Sequence, residues 1–317
     1  MSATAQKKLL ELANKRLEKF VSLLPRVLLS DQPDTIHDTR VYSRRLQQVI
    51  RVFFPQPGIG KARKLVRTLR RTRRSLGACR NLDVTIAIIQ KKIRATKEDT
   101  VRDAWREVQQ DLEEKRTREL LRARRELDQC DVMAFIKRAR ALLDSGDRAS
   151  DPEQSLKKTI KQGLIDWSDA LDKAMQDQGQ NSFHAFRIAG KRLRYALELL
   201  ATMGDHSSNA RVKALKKLQD QIGEWHDRQV LLQFVADFIS RPDFLAAHPD
   251  LARALLAEMD SEKQRDAVAI VGILKDAQRI RAAWTAVKPK RRAVKGNGED
   301  KSAEPLDSRA AANSAVQ

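Results

Sequence analysis

Residues 36–46 read Ile-His-Asp-Thr-Arg-Val-Tyr-Ser-Arg-Arg-Leu, and residues 183–193 read Phe-His-Ala-Phe-Arg-Ile-Ala-Gly-Lys-Arg-Leu. At a constant offset of 147, His37, Arg40, Arg44, Arg45 and Leu46 align with His184, Arg187, Lys191, Arg192 and Leu193. A second pair of segments follows. Leu76-Gly77-Ala78-Cys79-Arg80-Asn81-Leu82-Asp83-Val84 aligns at an offset of 146 with Ile222-Gly223-Glu224-Trp225-His226-Asp227-Arg228-Gln229-Val230. This is an internal duplication, and in a duplicated chain function can sit between the two similar halves. What repeats is a histidine followed by cations at helical spacing, which points toward an anion.

Working outward, nearly every segment has helical periodicity. Only 12 glycines and 9 prolines interrupt 317 residues, and strand-like alternation is absent. The fold class is therefore read as all-α. A first helix ends near Leu29, and Ser30-Asp31-Gln32-Pro33-Asp34 breaks it, with Asp34 a plausible N-cap. The His37 helix then runs to about Phe54 and buries Val41, Tyr42, Leu46, Val49, Ile50 and Phe53. Pro55-Gln56-Pro57-Gly58 ends it. One long helix is expected from about Gly60 to Ala95, burying Ala62, Leu65, Val66, Leu69 and Leu76. Helices at about 98–128 and through Phe135 and Leu142 complete the first half.

The stretch from Asp144 to Pro152 reads as a boundary, after which helices restart at about 154–177, 182–203, 208–240 and 248–286. The expected organisation is two helical-bundle repeats, 5–144 and 152–286, each of about four helices. They pack face to face with the histidine helices and the helices after them at the interface, the cheapest arrangement for short-looped antiparallel helices. Residues 288–317 have no periodicity and read as a disordered tail. With 7 basic and 4 acidic residues, that tail carries little of the net charge.

A formal charge of +20 and a pI near 10.2 favour polyanions: nucleic acid, inorganic polyphosphate or an anionic membrane surface. Aromatics at 5% argue against a single-strand binder that stacks bases. Cys79 and Cys130 stand apart, with no Cys-x-x-Cys or Cys/His cluster, and are read as free thiols in a reducing compartment. No apolar run reaches the roughly 18 residues of a membrane span, and the N-terminal stretch is not a secretion signal, so a cytoplasmic location is expected.

On a helix, His37, Arg40 and Arg44 share one face, opposite the apolar stripe, and His184, Arg187 and Lys191 repeat this. The following helix carries Arg63, Arg67, Arg70, Arg71 and Arg74, a cationic stripe three turns long. Its second copy is weaker: Lys213, Lys216 and Lys217, with Asp220 where Arg74 stands. From His37 to Arg80 there are 13 Lys/Arg and 1 acid, net +12. From His184 to Val230 there are 9 and 5, net +4. Charge runs are usually solvated faces. Here periodicity, repetition and the scarcity of acids favour an external anion supplying the missing charge, and arginine forks suit phosphate. The histidines can contact that anion or bridge structurally. Arg80, Asn81, Asp83, His226 and Asp227 read as structural.

No catalytic residues, metal ligands or cofactor site are indicated. There is no His-x-x-x-His pair and no Gly-x-Ser-x-Gly elbow. Gly58-Ile59-Gly60-Lys61 lacks the first glycine of a phosphate-binding loop, a preceding strand, and the Ser/Thr after lysine, where Ala62 stands.

The duplicated His-x-x-Arg-(Val/Ile)-x-x-(Arg/Lys)-Arg-Leu segments, with the two Leu/Ile-Gly segments after them, resemble the CHAD family, the conserved histidine α-helical domain. The likeness spans about residues 5–286. It implies two four-helix bundles with pseudo-twofold symmetry around a basic central groove or channel, binding of inorganic polyphosphate, and association with polyphosphate granules. It also implies a ligand set of His37, Arg40, Arg44, Arg45, His184, Arg187, Lys191 and Arg192, joined by the basic residues of the next helix. The Glu-x-Glu-x-Lys strand motif of the triphosphate-tunnel enzymes attached to many family members is absent, so a stand-alone, non-enzymatic domain is expected. The rival reading is a helical protein that grips RNA or DNA phosphates without reading bases.

Overall fold

A computed structural model describes residues 3–55, 60–145, 151–177 and 179–285. Eleven helices account for nearly all of them: α1 (Ala3–Leu29), α2 (Pro33–Phe53), α3 (Gly60–Ser75), α4 (Gly77–Ala95), α5 (Asp99–Asp128), α6 (Val132–Asp144), α7 (Pro152–Gln176), α8 (Gln180–Thr202), α9 (Ser208–Ile239), α10 (Pro242–Ala247) and α11 (Pro249–Thr285). There is no strand among the described residues. The expected tail, the middle of the Asp144–Pro152 boundary, and Gly58 and Ile59 of the glycine-rich segment lie outside them.

Three differences from the sequence reading have local causes. The expected helix 60–95 is two helices. Leu76 leaves helical geometry (φ −83°, ψ 6°), and its side chain is fully buried with Val27, Ile36 and Cys79. The 248–286 segment is preceded by a separate turn of helix. Pro242 and Pro249 each open a helix, as proline does where no amide donor is needed. Pro33 likewise starts α2 with Gln32 at the cap, so Asp34 falls in the first turn, where its charge favours the helix dipole. Val41 and Tyr42 are half-buried, while Leu46, Val49, Ile50 and Phe53 are fully packed.

The histidine helices α2 and α8 lie at the centre, each flanked by the preceding helix of its own half, and they also touch each other. Gly190 lets α8 lie close to α7 and α9: a side chain at that position would begin 3.4 Å from the Trp167 ring and 3.5 Å from the Gln219 amide. The apolar cores do not follow the two halves of the chain. One joins α1, α2, α3 and α6 to α7, α8, the first part of α9 and the end of α11. A second joins α4 and α5, through Ile89, Trp105 and Leu112, to Leu231 and Val235 of α9 and Leu255 of α11. Each half alone would expose both seams to water, at roughly 25 cal/mol for every Å² of apolar surface.

Residues 1–145 expressed alone are therefore expected to lack a cooperative unfolding transition, whereas the full chain unfolds in one. Urea melts followed by circular dichroism test this, and a sharp transition in the fragment would refute it.

Candidate functional site

The α2–α8 contact gathers cations from both halves. Arg40 and Arg44 of α2 meet Arg187 and Lys191 of α8, and Arg51, Arg73 and Arg80 join them from α2, α3 and α4. Burial first, then Arg44, Arg80 and Arg187, lowers the Arg40 guanidinium to about 10. Burial, then Arg44, Arg40, Arg70 and Arg51, does the same to Arg73. Both stay charged at neutral pH. Lys191 is pushed down to about 7 by burial and by Arg187, Arg44 and Arg194, with Asp227 opposing. Among the described residues, none of Arg40, Arg44, Arg51, Arg73, Arg80, Arg187 or Lys191 forms an ion pair with a carboxylate. Half-buried charge without a partner is costly.

The offsets of the duplication explain how the seam is built. Arg40 donates to the carbonyl of Arg73 in the last turn of α3. The break between α3 and α4 frees that carbonyl, and a cation is favoured at a helix C-terminus. The Arg40 guanidinium lies over Gly77, 3.5 Å from where a side chain would begin. In the second half α9 runs unbroken through the equivalent position. Arg187, the counterpart of Arg40, has no such carbonyl, and its Nε is buried without a hydrogen-bond partner.

Two further positions set the asymmetry. Arg73 donates to Gln47 and, at 3.4 Å, to Ser43 Oγ. Their counterparts exchange roles: Arg194 of α8 donates to Gln219 of α9 at 2.7 Å. Glu198 then pairs with Arg194, whereas the residue aligned with Glu198 at offset 147 is Arg51, a cation. Burial, Arg70 and Arg192 lower the Arg51 pKa. One half thus neutralises its inner arginine, while the other adds a second cation beside it. Across the seam Arg44 donates to Tyr195 Oη at 3.1 Å, with its guanidinium 5.9 Å from the ring centroid.

The remaining expected residues scatter. Arg45 turns to the other side of α2, over the Tyr42 ring at 5.7 Å and near α1. Consecutive helical residues point about 100° apart, so it cannot share the face of Arg44. His37 is exposed at the mouth, where partial burial and Arg80 lower its pKa. His184 is exposed with its ring 6.1 Å from that of His226, which burial, Arg187, His184 and Lys191 push down to about 4. Arg192 is exposed. Arg63, Arg67, Arg70 and Arg74 form the exposed face of α3, with Arg70 next to Arg51 and Arg73. Arg71 leaves that face and donates to Gln129 Oε1 at 2.8 Å. Lys213, Lys216 and Lys217 are exposed on α9.

Sequence reasoning missed Arg51 and Arg73, and it placed Arg80 and Asp227 with the scaffold. The signal was present in the offsets, where Arg51 aligns with Glu198 and Arg73 with Gln219. Asp83 does work in the scaffold: it accepts from Arg116 at 2.5 Å. A cavity of about 940 Å³ adjoins the seam through Arg80 and Asp227. It is lined by both signs, including Asp34, Asp83, Glu224 and Arg228, and so differs in character from the seam. Among the described residues there is no group of three or more His, Cys, Asp or Glu suited to a metal ion, and no helix is long and apolar enough to cross a membrane.

An all-α fold with a duplicated histidine helix and a cationic seam where the two copies meet defines a class. The chain belongs to the CHAD domain family, whose pattern matches residues 11–236. Two solved structures share the fold. The crystal structure of the CHAD domain from the plant Ricinus communis is 21% identical, with a TM-score of 0.65 over 89% of this chain and 92% of that one. PptA from Streptomyces chartreusis is 12% identical, with a TM-score of 0.64 over 86% of this chain and 99% of that one. No curated protein matches the sequence.

The lowered Lys191 pKa has a stability consequence. Its folded value of about 7 lies below the ordinary 10.5, so between those pH values the unfolded chain binds more protons. The ligand-free protein is expected to gain stability as pH rises from 7 toward 10, because the folded state sheds a proton it holds badly. Thermal unfolding of wild type and Lys191→Met at pH 7 and 9 checks this. The wild type should gain more than the variant, and parallel shifts would remove the assignment.

Proposed function

We propose that the seam holds a linear chain of phosphates, inorganic polyphosphate being the ligand that fits it best. The observation that carries this reading is the row of seven unpaired, largely half-buried cations at the α2–α8 contact, with the Arg187 Nε left without an acceptor. Closely spaced anionic oxygens would supply the missing acceptors, and each guanidinium fork can take two of them. The exposed arginines of α3 would extend the same track. Binding would be mainly electrostatic and would weaken with salt by counterion release.

Two features favour an inorganic chain over nucleic acid. The aromatic ring at the seam is Tyr195, which is 8% exposed and covered by Arg44 and by Arg194, whose guanidinium lies 4.4 Å from the ring centroid. It gives no platform for a base. The cations also stand close enough to depress one another, a charge density better matched by one negative charge on every phosphate, with no sugar between, than by a nucleotide repeat. The role we infer is holding rather than turnover. Asp227 lies among these cations, and burial raises its pKa while Arg187, Arg80 and Lys191 oppose this. A protein of this kind would associate with polyphosphate granules.

The test is fluorescence anisotropy of labelled long-chain polyphosphate near physiological salt, with unlabelled RNA as competitor. Tight binding that survives RNA excess is expected, and displacement by RNA at equal charge would favour the nucleic-acid reading. Arg40→Ala with Arg44→Ala, and separately Arg187→Ala with Lys191→Ala, should each weaken binding by at least about 100-fold while leaving the fold intact. Two charge-assisted contacts at roughly 1.5–3 kcal/mol each set that scale. Unchanged affinity in both double variants would sink the assignment.

A further inference from the structure

Arg45 is an α2 cation that the seam does not take, and it is half-buried on the other side of that helix. It lines a separate cavity of about 540 Å³ in the groove between α1 and α2, with Lys15, Arg16 and Lys19 from α1. Leu12, Glu18, Ser22 and Tyr42 also line it. Arg16 is the deepest cation of the set. Its Nη1 donates to the Arg45 carbonyl at 3.1 Å, and burial, then the Arg45 charge, lowers its pKa to about 10. The Arg45 guanidinium is held over the Tyr42 ring.

The charge of this cavity is not balanced. Among the described residues Glu18 is the single carboxylate lining it, and Glu18 also borders a second cavity between α1 and α6, beside Arg140. Glu198 reaches Arg16 electrostatically from α8 but is committed to Arg194. Among the described residues, none of Lys15, Arg16, Lys19 or Arg45 forms an ion pair, although exposed cations on α5 and α11 commonly find a carboxylate three or four residues away. Four cations lining one cavity, two of them arginines held by a carbonyl and by the Tyr42 ring, suit a compact anion of several charges rather than a single carboxylate.

We propose that this α1–α2 cavity is a second anion site, separate from the seam, and that it takes a phosphoryl anion such as a short oligophosphate. The phosphoryl group can come from a free oligophosphate or from another stretch of a long chain. The site stands whether or not the seam binds polyphosphate.

Calorimetry with tripolyphosphate tests it on the full chain. Wild type is expected to bind two equivalents, and the Arg187→Ala, Lys191→Ala protein is expected to keep one. Adding Arg16→Gln and Lys19→Ala to that protein should weaken the remaining equivalent about tenfold or more. If the Arg16 substitution unfolds the protein, Lys15→Ala with Lys19→Ala replaces it, since Lys15 is exposed and Lys19 lies toward the surface. A single equivalent in wild type that disappears with Arg187 and Lys191 would overturn the proposal and leave the seam standing. A remaining equivalent indifferent to both α1 double substitutions would also overturn it. Long-chain polyphosphate separates the two sources. Weaker long-chain binding in Arg16→Gln, Lys19→Ala with the seam intact means one chain spans both sites. Unchanged long-chain binding beside a lost tripolyphosphate equivalent means the cavity takes a separate anion.

Discussion

Two rows of cations face each other across the α2–α8 contact, and the molecule must hold them there without carboxylate partners. Packing makes that possible. The opposite faces of both helices are buried in one continuous core that includes Leu46, Ile50, Phe53, Phe183, Phe186 and Leu193. Burying each such side chain is worth roughly 1.5–3 kcal/mol. That outweighs a cluster in which neighbouring guanidinium groups repel at effective dielectric constants near 20.

Local polar devices then relieve part of the strain. A helix break supplies the Arg73 carbonyl to Arg40, Tyr195 takes Arg44, and Gln47 takes Arg73. These acceptors are neutral, so they orient the cations without cancelling them. The second half has the same frame but spends one of its cations internally, with Arg194 held by Gln219 and Glu198. Of the eight charges by which the two copies differ (+12 against +4), the replacement of Arg51 by Glu198 accounts for two, at this position.

Elsewhere the chain neutralises itself. Lys92 meets Glu258 and Glu262, Arg116 meets Asp83, and Arg228 meets Asp266. All of these lie toward the end of the molecule where α4, α5, α9 and α11 share a core, beyond the seam. Cations with carboxylate partners stabilise the scaffold, and among the described residues those without an ion pair include the seven where the two copies meet and the four of the α1–α2 cavity. That separation within one strongly basic chain is the physical basis for reading the seam as a binding surface.

The helical class, the duplication, and the cation rows at Arg40, Arg44, Arg187 and Lys191 could be read from the sequence alone, because three- and four-residue periodicity and a constant offset are local properties of a chain. The break at Leu76 could not, since it depends on a core contact and on a competing donor from another helix. Nor could the division of Arg44 from Arg45, two adjacent cations sent to different sides of α2 by the helix rotation and by what packs there. Arg51 and Arg73 were visible as residues but not as site residues. Their faces were read from their own helices, while their surroundings were fixed by α2 and α3 packing together. Which cations remain without a partner is decided only by tertiary structure, because a carboxylate distant in sequence neutralises a charge only when the fold brings it within reach.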